Sequence, residues 1–224
     1  MPLAGGAPFW GEHAAGIIDN IPDADAVHLT FDLCGSPGSG SELNRPLVKY
    51  LNENKIPATF FINARFIDAN PGTLEELAAN PLFRVENHGT EHKPASTSGQ
   101  SAYGIKGTES EDELVREVMD NAEKMRERTG AASKWFRAGT AYYDERAIEI
   151  ITKKLGMKIA GFKLALDAGA TLPAKEVCER TLKAKPGDIL LAHANRPKSD
   201  TLKGLKCGLP KLKKRGYKFA PLPD

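Results

Sequence analysis

The chain lacks a run of about 20 apolar residues, the length that a helix needs to cross a bilayer, so we predict no transmembrane span. It also lacks an excess of one charge, because 31 Lys and Arg residues face 29 Asp and Glu residues and leave a formal net charge of +2. This balance disfavours a nucleic-acid partner, and we expect the basic run from Lys211 to Arg215 to be a solvated helix face. Residues 1–16 have neither a basic start nor a continuous apolar segment, so we predict that they are not a signal peptide.

Cysteine is scarce, and the three cysteines, Cys34, Cys178 and Cys207, cannot all pair. Their spacing matches no zinc ribbon and no C-x-x-C redox motif. Cys178 and Cys207 lie in or near the last two predicted helices and would pair in an oxidising setting, but our expectation is free, buried thiols. Cysteine content therefore does not define the cellular compartment.

Length and pattern indicate a single α/β domain covering residues 1–224, since 224 residues with 41% hydrophobic composition can bury one substantial core. Short apolar runs bounded by polar or glycine-rich sequence predict buried strands at 27–31, 58–62, 82–85, 134–136, 158–165, 188–192 and 217–222. Helical patterns lie between them at 42–54, 73–79, 109–129, 145–155, 174–184 and 201–215. This alternation predicts about seven parallel strands joined by right-handed crossovers, in a distorted (β/α) barrel whose rim carries loops at 34–41 and 93–108.

Ionisable residues stand where this barrel would build its site. Asp32, Arg137 and His193 each fall at or just after the end of an apolar run, and the carboxyl ends of parallel strands are where α/β folds place their chemistry. His88 and His92 are four residues apart, a spacing that would direct both imidazoles from one helical turn toward one metal ion.

The order of these motifs resembles the polysaccharide deacetylases, which are carbohydrate esterase family 4 or the NodB-homology family. The motifs are Thr-Phe-Asp ending at Asp32, His-x-x-x-His at His88 and His92, Arg137 followed by Tyr-Tyr-Asp, and Leu-Leu-Ala-His ending at His193. The resemblance extends from about residue 27 to residue 222. It implies a distorted (β/α) barrel that removes acetyl groups from sugars with the help of a divalent metal ion, most often zinc.

Residue roles follow from the same resemblance. Asp32 matches the family's general base, His88 and His92 match its metal-binding histidines, and Arg137 matches the arginine that orients the base. This division of labour agrees with elementary chemistry, because a metal ion activates water while a carboxylate beside an arginine stays ionised and accepts the proton.

Two further residues would return the proton. His193 matches the histidine that protonates the leaving group, and Asp167 matches its acidic partner, which would keep the imidazole charged. The other histidines that we considered, His13 and His28, we expect to be structural.

Two departures from the family pattern affect the metal site and the oxyanion site. Leu33 stands where most members have a second aspartate that binds the metal, so the third ligand is Asp32, Cys34 or a water, and a thiolate would favour zinc. Residues 139–141 are Gly-Thr-Ala where the family usually has prolines and an early tyrosine. We expect an oxyanion donor among the backbone N–H groups of residues 140–142.

The predicted function is metal-dependent deacetylation of N-acetylated or O-acetylated sugars in a polysaccharide such as peptidoglycan, a chitin-like polymer or an exopolysaccharide. The resemblance implies export to the periplasm or cell envelope, and a cytoplasmic location stays open. One alternative is a metal-independent hydrolase of cyclic C–N bonds on the same barrel. Another is a non-catalytic carbohydrate-binding barrel, against which the retention of Asp32, Arg137 and His193 and the low aromatic content of 7% both weigh.

Overall fold

A curled sheet of parallel strands forms the centre of the computed structural model, which describes residues 9–35 and 41–224. The strands are β1 (Trp10–Gly11), β2 (Ile17–Ile18), β3 (Ala26–Leu33), β4 (Ala58–Ile62), β5 (Phe83–Asn87), β6 (Ser101–Ala102), β7 (Ile105–Lys106), β8 (Trp135–Phe136), β9 (Tyr143–Asp144), β10 (Lys158–Ala160), β11 (Leu164–Ala165), β12 (Ile189–His193) and β13 (Lys218–Phe219). The helices are α1 (Arg45–Glu53), α2 (Ala64–Ala69), α3 (Thr73–Ala78), α4 (Glu111–Thr129), α5 (Glu145–Glu149), α6 (Ala174–Thr181) and α7 (Thr201–Lys214).

The strand order in the main sheet is β11-β12-β3-β4-β5-β8-β10-β2, and every pair along it is parallel. β13 adds to the beginning of β3. The two ends of the sheet approach each other, since the Ile189 N–H, at the start of β12, donates to the Asp19 carbonyl beyond β2 at 3.1 Å. The predicted distorted (β/α) barrel is confirmed.

Strands β3 and β4 are buried along their whole length, because helices cover the outer face of the sheet and side chains fill its interior. The helices begin and end at residues suited to those positions. Asn44 caps α1 by accepting the Leu47 N–H at 3.1 Å, and Ser110 caps α4 by accepting the Glu113 N–H at 3.2 Å. Gly130 ends α4 with φ 74°, a conformation that favours glycine.

Several element boundaries differ from the sequence-based expectation. The predicted strand 158–165 is two strands, since the chain leaves the sheet at Gly161 and resumes beside a different neighbour: β10 pairs with β8 and β2, whereas β11 pairs with β12. The predicted helix 145–155 is α5 followed by a π-helical turn at Ile150–Lys154. Helix α2 was not predicted, because six residues are too few to show a helical period.

Cys178 and Cys207 form a disulfide that joins α6 to α7, with a Cα–Cα distance of 5.5 Å. The expectation of free, buried thiols was therefore wrong. The two helices approach closely because α7 presents glycine to α6: a Cβ on Gly204 would lie 2.4 Å from the Cβ of Val177. Helix-to-helix register of this kind cannot be derived from cysteine spacing alone.

The loop predicted at 93–108 contains a small antiparallel hairpin, β6 and β7, which stands at the rim of the barrel. Of the loop predicted at 34–41, residues 36–40 lie outside the described residues, as do residues 1–8. Within residues 9–35 and 41–224, no helix combines the length and the apolar character required to traverse a bilayer.

Candidate active site

A cleft of about 360 Å³ opens at the carboxyl ends of the central strands. Asp32 near the end of β3, His92 in the loop after β5, and His193 at the end of β12 all line it. Parallel pairing brings these groups to one edge of the sheet, since Asp32 is directly opposite His193 in the β3–β12 register. The structure thus brings together residues that are far apart in the sequence.

Arg137, just after β8, is fully buried and holds Asp32 in place. Its Nη1 donates to Asp32 Oδ1 at 2.8 Å and to Thr30 Oγ1 at 2.9 Å. Its Nε and Nη2 donate to the carbonyl oxygens of Ala160 and Gly161 at 3.1 and 2.9 Å. The break between β10 and β11 therefore provides acceptors for the guanidinium, which has no freedom to turn away from the carboxylate.

The charges around Asp32 favour its ionised form. Burial alone would raise the pKa of Asp32, but the charges of His88, Arg137 and His193 outweigh burial and lower that pKa below its ordinary value. Asp32 Oδ2 lies 3.5 Å from His88 Nε2, on the side of the carboxylate away from the Arg137 contact. A carboxylate held in this way is ionised at neutral pH and has one oxygen directed into the site.

The two histidines of the His-x-x-x-His motif lie in a loop that follows β5, so the expected helical turn was wrong. Gly89 has φ 77° and His92 has φ 63°, and these left-handed residues turn the chain tightly where a helix would continue. The imidazole rings still meet, with ring centroids 4.9 Å apart. His88 Nδ1 contacts the Arg137 carbonyl oxygen at 2.9 Å, and because only an N–H can bond to a carbonyl, Nδ1 is the protonated nitrogen and Nε2 faces the site.

Cys34, His88 and His92 form a group in which the candidate ligand atoms all lie within 4.8 Å of one another. Cys34 Sγ is 3.5 Å from His88 Nε2. Burial would raise the pKa of Cys34, but the charges of His92 and His88 outweigh it and lower the pKa well below its ordinary value. Asp32, the other candidate for third ligand, is not part of this group and has one oxygen occupied by Arg137.

His193 and Asp167 form a hydrogen-bonded pair at the end of β12, where His193 lines the cleft and also approaches Cys34. His193 Nδ1 donates to Asp167 Oδ1 at 2.8 Å, while Oδ2 accepts the His193 backbone N–H and the Thr201 hydroxyl, both at 2.8 Å. Burial lowers the pKa of His193, but the charge and hydrogen bond of Asp167 outweigh it and raise the pKa well above its ordinary value. His193 is therefore a group that can be protonated at neutral pH, with Nε2 left to face the cleft.

Glu117, a residue that the sequence analysis did not select, organises the loop that carries His88 and His92 from helix α4. Its side chain is buried and accepts the backbone N–H of Glu91 at 2.8 Å and that of Lys93 at 3.1 Å, on either side of His92. Its own carbonyl accepts the Thr90 N–H at 2.9 Å. The signal in the sequence is an acidic residue within the apolar face of the predicted helix 109–129, directly before Val118.

The segment after Arg137 passes close to the loop that carries His88 and His92. A Cβ on Gly139 would lie 2.3 Å from the carbonyl carbon and oxygen of His92, so only glycine fits there. Of the backbone N–H groups considered for the oxyanion, that of Ala141 is bonded to the Ala138 carbonyl at 2.9 Å. The Tyr142 N–H makes a 3.4 Å contact with the Thr140 hydroxyl, and the Thr140 N–H has no backbone partner among the described residues, so these two N–H groups are the remaining candidates.

The remaining histidines lie outside this group. His28 is buried at the other end of β3, where its Nδ1 contacts the Pro221 carbonyl oxygen at 3.1 Å. His13 is exposed, and its ring packs edge-on against Phe162, with ring centroids 5.7 Å apart.

A family model described as polysaccharide deacetylase matches residues 19–160, more than half of the chain. The chain therefore belongs to the polysaccharide deacetylase family, a class of carbohydrate deacetylases that hydrolyse carbon–nitrogen bonds other than peptide bonds. A relative from Bacillus cereus, named peptidoglycan-N-acetylglucosamine deacetylase, is 25% identical over 202 residues, which cover 88% of this chain and 86% of the relative.

Solved structures share the fold. A peptidoglycan N-acetylglucosamine deacetylase in complex with a substituted N-hydroxybenzamide superposes with a TM-score of 0.75 at 20% identity, over 92% of this chain and 90% of that one. A carbohydrate esterase family 4 pseudoenzyme from Bacillus anthracis superposes with a TM-score of 0.72 at 21% identity, over 90% of this chain and 65% of that one. The chain thus spans slightly less than two thirds of the pseudoenzyme's length.

Proposed function

We propose that this protein is a zinc-dependent hydrolase that removes acetyl groups from N-acetylated sugars of a polysaccharide. The observation that carries the proposal is the meeting of three ligand atoms, from Cys34, His88 and His92, within 4.8 Å of one another. These atoms lie beside the ionised carboxylate of Asp32 and in the same cleft as His193. Metal, base and acid are the parts that amide hydrolysis requires.

The residues present fit a zinc ion. Thiolate and imidazole are usual zinc ligands, and three protein ligands leave a position for water or substrate. Because His88 Nδ1 is bonded to the Arg137 carbonyl, Nε2 is the nitrogen that faces Cys34, and it would bind zinc in its deprotonated form. The Nε2 of His92 is buried and has no hydrogen-bond partner among the described residues, so this nitrogen is available as a ligand. Cys34 thereby supplies, one position later, the donor that Leu33 cannot provide.

Zinc bound by these residues would polarise the acetyl carbonyl and activate the attacking water. Asp32 accepts the proton of that water at Oδ2, since Oδ1 is bonded to Arg137. Arg137 keeps the carboxylate ionised and correctly turned, because its other donors are anchored to backbone carbonyls. The backbone N–H groups of Thr140 and Tyr142 are the candidates to stabilise the negative charge that develops on the carbonyl oxygen, and Thr140 lines the cleft.

His193 donates a proton from Nε2 to the nitrogen of the departing amine. Asp167 keeps the imidazole charged and holds its ring in one orientation through Nδ1. Thr201 occupies the second oxygen of Asp167, so this carboxylate has no free oxygen to compete for substrate. An amine is a poor leaving group unless it is protonated, so amide substrates depend on this pair more than esters of acidic alcohols do.

The substrate that we propose is an N-acetylhexosamine unit within a glycan chain such as peptidoglycan. Relatives in sequence and in fold are named peptidoglycan N-acetylglucosamine deacetylases. The Cys178–Cys207 disulfide supports a location in an oxidising compartment such as the cell envelope, because disulfides rarely persist in reducing ones.

The metal half of the proposal is tested by elemental analysis of the purified protein and by zinc competition titration. We expect bound zinc. Removal of a contact that supports a metal ligand typically costs about 10- to 100-fold in metal affinity, and we expect Cys34→Ser, which removes a ligand, to lower zinc affinity by more than that. Asp32→Asn should keep its zinc if Asp32 is the base and lose it if Asp32 is a ligand. A protein without metal that hydrolyses cyclic amides would replace the proposal with the metal-independent alternative.

The catalytic half is tested by release of acetate from an N-acetylglucosamine tetramer. His193→Ala should slow this reaction about 100- to 10,000-fold, whereas hydrolysis of an aryl acetate should lose much less, since aryloxide leaves without a proton. Equal losses on both substrates would mean that His193 has another role. Zinc-loaded protein that binds the tetramer and releases no acetate would be a non-catalytic barrel, as one structural relative is described.

A further inference from the structure

The hairpin of β6 and β7 places exposed hydrophobic side chains at the mouth of the cleft. Among residues 9–35 and 41–224, the large hydrophobic side chains that stand exposed are Tyr103 at 74%, Ile105 at 37% and Met119 at 37%. Tyr103 and Ile105 both belong to this hairpin, and both line the cleft that holds Asp32 and His193. Exposed apolar surface concentrated at a cleft is more informative than the same surface scattered singly.

The backbone of the hairpin makes Tyr103 a costly choice. Ala102 pairs with Ile105, so Tyr103 and Gly104 form a two-residue turn, with φ 53° and 76°. Positive φ at both positions defines a type I′ turn, for which Asn-Gly is the favoured sequence. A bulky side chain at the first position is disfavoured by its Cβ. The hairpin turn by itself therefore does not favour tyrosine at this position.

Tyr103 is also held in position by neighbours on other elements. Its ring meets the edge of Tyr142 with ring centroids 5.5 Å apart, and Tyr142 in turn packs against Trp10 at 5.5 Å. Its hydroxyl donates to Glu12 Oε1 at 3.0 Å. These contacts form a continuous aromatic surface from β1 to the hairpin, with a carboxylate at its border. The overall aromatic content is low, but these aromatics are concentrated beside the site.

We infer that Tyr103 and Glu12 form a binding subsite for the sugar ring next to the one that carries the scissile acetyl group. The inference relies on the proposed function for the identity of the glycan. A pyranose presents a face of C–H groups that packs on an aromatic ring, while its hydroxyls donate to a carboxylate such as Glu12. On this inference a second sugar ring packs on Tyr103 while the first is held near His193, both of which line the cleft, so the subsite selects chains over single sugars.

The test compares binding of N-acetylglucosamine and its tetramer by calorimetry, in zinc-loaded protein carrying Asp32→Asn so that turnover is blocked. Tyr103→Asn is the informative variant, because asparagine suits the turn and removes the aromatic ring together with its hydroxyl contact to Glu12. We expect it to weaken tetramer binding about tenfold, with little change for the single sugar, while the melting temperature stays the same or rises. Tyr103→Phe, which keeps the ring, should stay within about threefold of the parent.

Met119→Asn is the control, because Met119 is also an exposed apolar residue but does not line the cleft. Tetramer affinity that is the same in the Tyr103→Asn and Met119→Asn proteins would overturn the subsite, as would an equal loss for tetramer and single sugar. The proposed function is tested separately, by measuring acetate release from the tetramer with the protein in which Asp32 is intact. If no acetate is released but Tyr103→Asn weakens binding of the tetramer alone, the proposed function is rejected and the subsite is retained. If acetate is released and Tyr103→Asn does not weaken tetramer binding, the function is retained and the subsite is rejected.

Discussion

Replacement of Glu117 by glutamine should loosen the loop that carries the metal-binding histidines. The buried carboxylate accepts two backbone N–H groups, from Glu91 and Lys93, at 2.8 and 3.1 Å. Glutamine keeps one acceptor oxygen and turns an NH₂ group toward the other N–H, so one charge-assisted bond is lost. Bonds of this kind contribute about 1.5–3 kcal/mol, and we expect the free energy of unfolding to fall by about that amount.

The same variant should weaken zinc binding, because Glu91 and Lys93 flank His92 and set its backbone. Loss of a supporting contact of this kind costs about 10- to 100-fold in metal affinity. Urea unfolding of the metal-free protein and zinc titration against a chromophoric chelator measure the two effects. Glu113→Gln is the control, since Glu113 lies on the same helix and reaches the loop only through the Lys93 side chain, at 2.7 Å, while its other oxygen accepts the Glu109 N–H at 2.8 Å. Equal zinc affinities for the two variants would refute the reasoning.

Three further changes test other parts of the site and fold. Asp167→Asn should lower the pKa of His193, because the carboxylate raises it; the alkaline limb of the kcat/KM profile should then move to lower pH, and an unmoved limb would contradict the pairing. Cys178→Ser combined with Cys207→Ser opens a loop with a sequence separation of 29, so equilibrium unfolding should show a loss of about 3–4 kcal/mol, and wild-type stability would contradict this. Gly139→Ala should weaken zinc binding in the competition titration, because its Cβ would lie 2.3 Å from the carbonyl carbon and oxygen of His92.

The sequence by itself predicted the central strands and most of the residues that meet at the candidate site. The run at 58–62 was predicted with the bounds that β4 has in the structure, and 188–192 differs from β12 by one residue at each end. Such strands can be predicted from the sequence because burial on both faces requires an unbroken apolar run, and polar and glycine residues mark where that run ends. The ionisable residues that end these runs, Asp32 and His193 among them, were identified for the same reason.

The local backbone conformation of the His-x-x-x-His segment was harder to predict from the sequence. The spacing of His88 and His92 fits a helical turn, yet the chain turns back through left-handed residues at Gly89 and His92. A helical period and a tight loop both bring residues four apart together, so the spacing alone does not distinguish them. Glu117 was missed because its importance lies in two backbone N–H groups of another segment, which a pattern of side chains does not show.

Only the tertiary structure decided which residues meet. Arg137 contacts Asp32, which is 105 residues away in the sequence. The two backbone carbonyls that also accept from Arg137 are available only because strand pairing is interrupted between β10 and β11. Cys34 joined the two histidines, and Cys178 paired with Cys207, through packing between elements that are remote in the chain. Hydrophobic periodicity reports whether a residue is buried in its own element, whereas a binding site depends on distances between elements, and those follow from the register of the whole sheet.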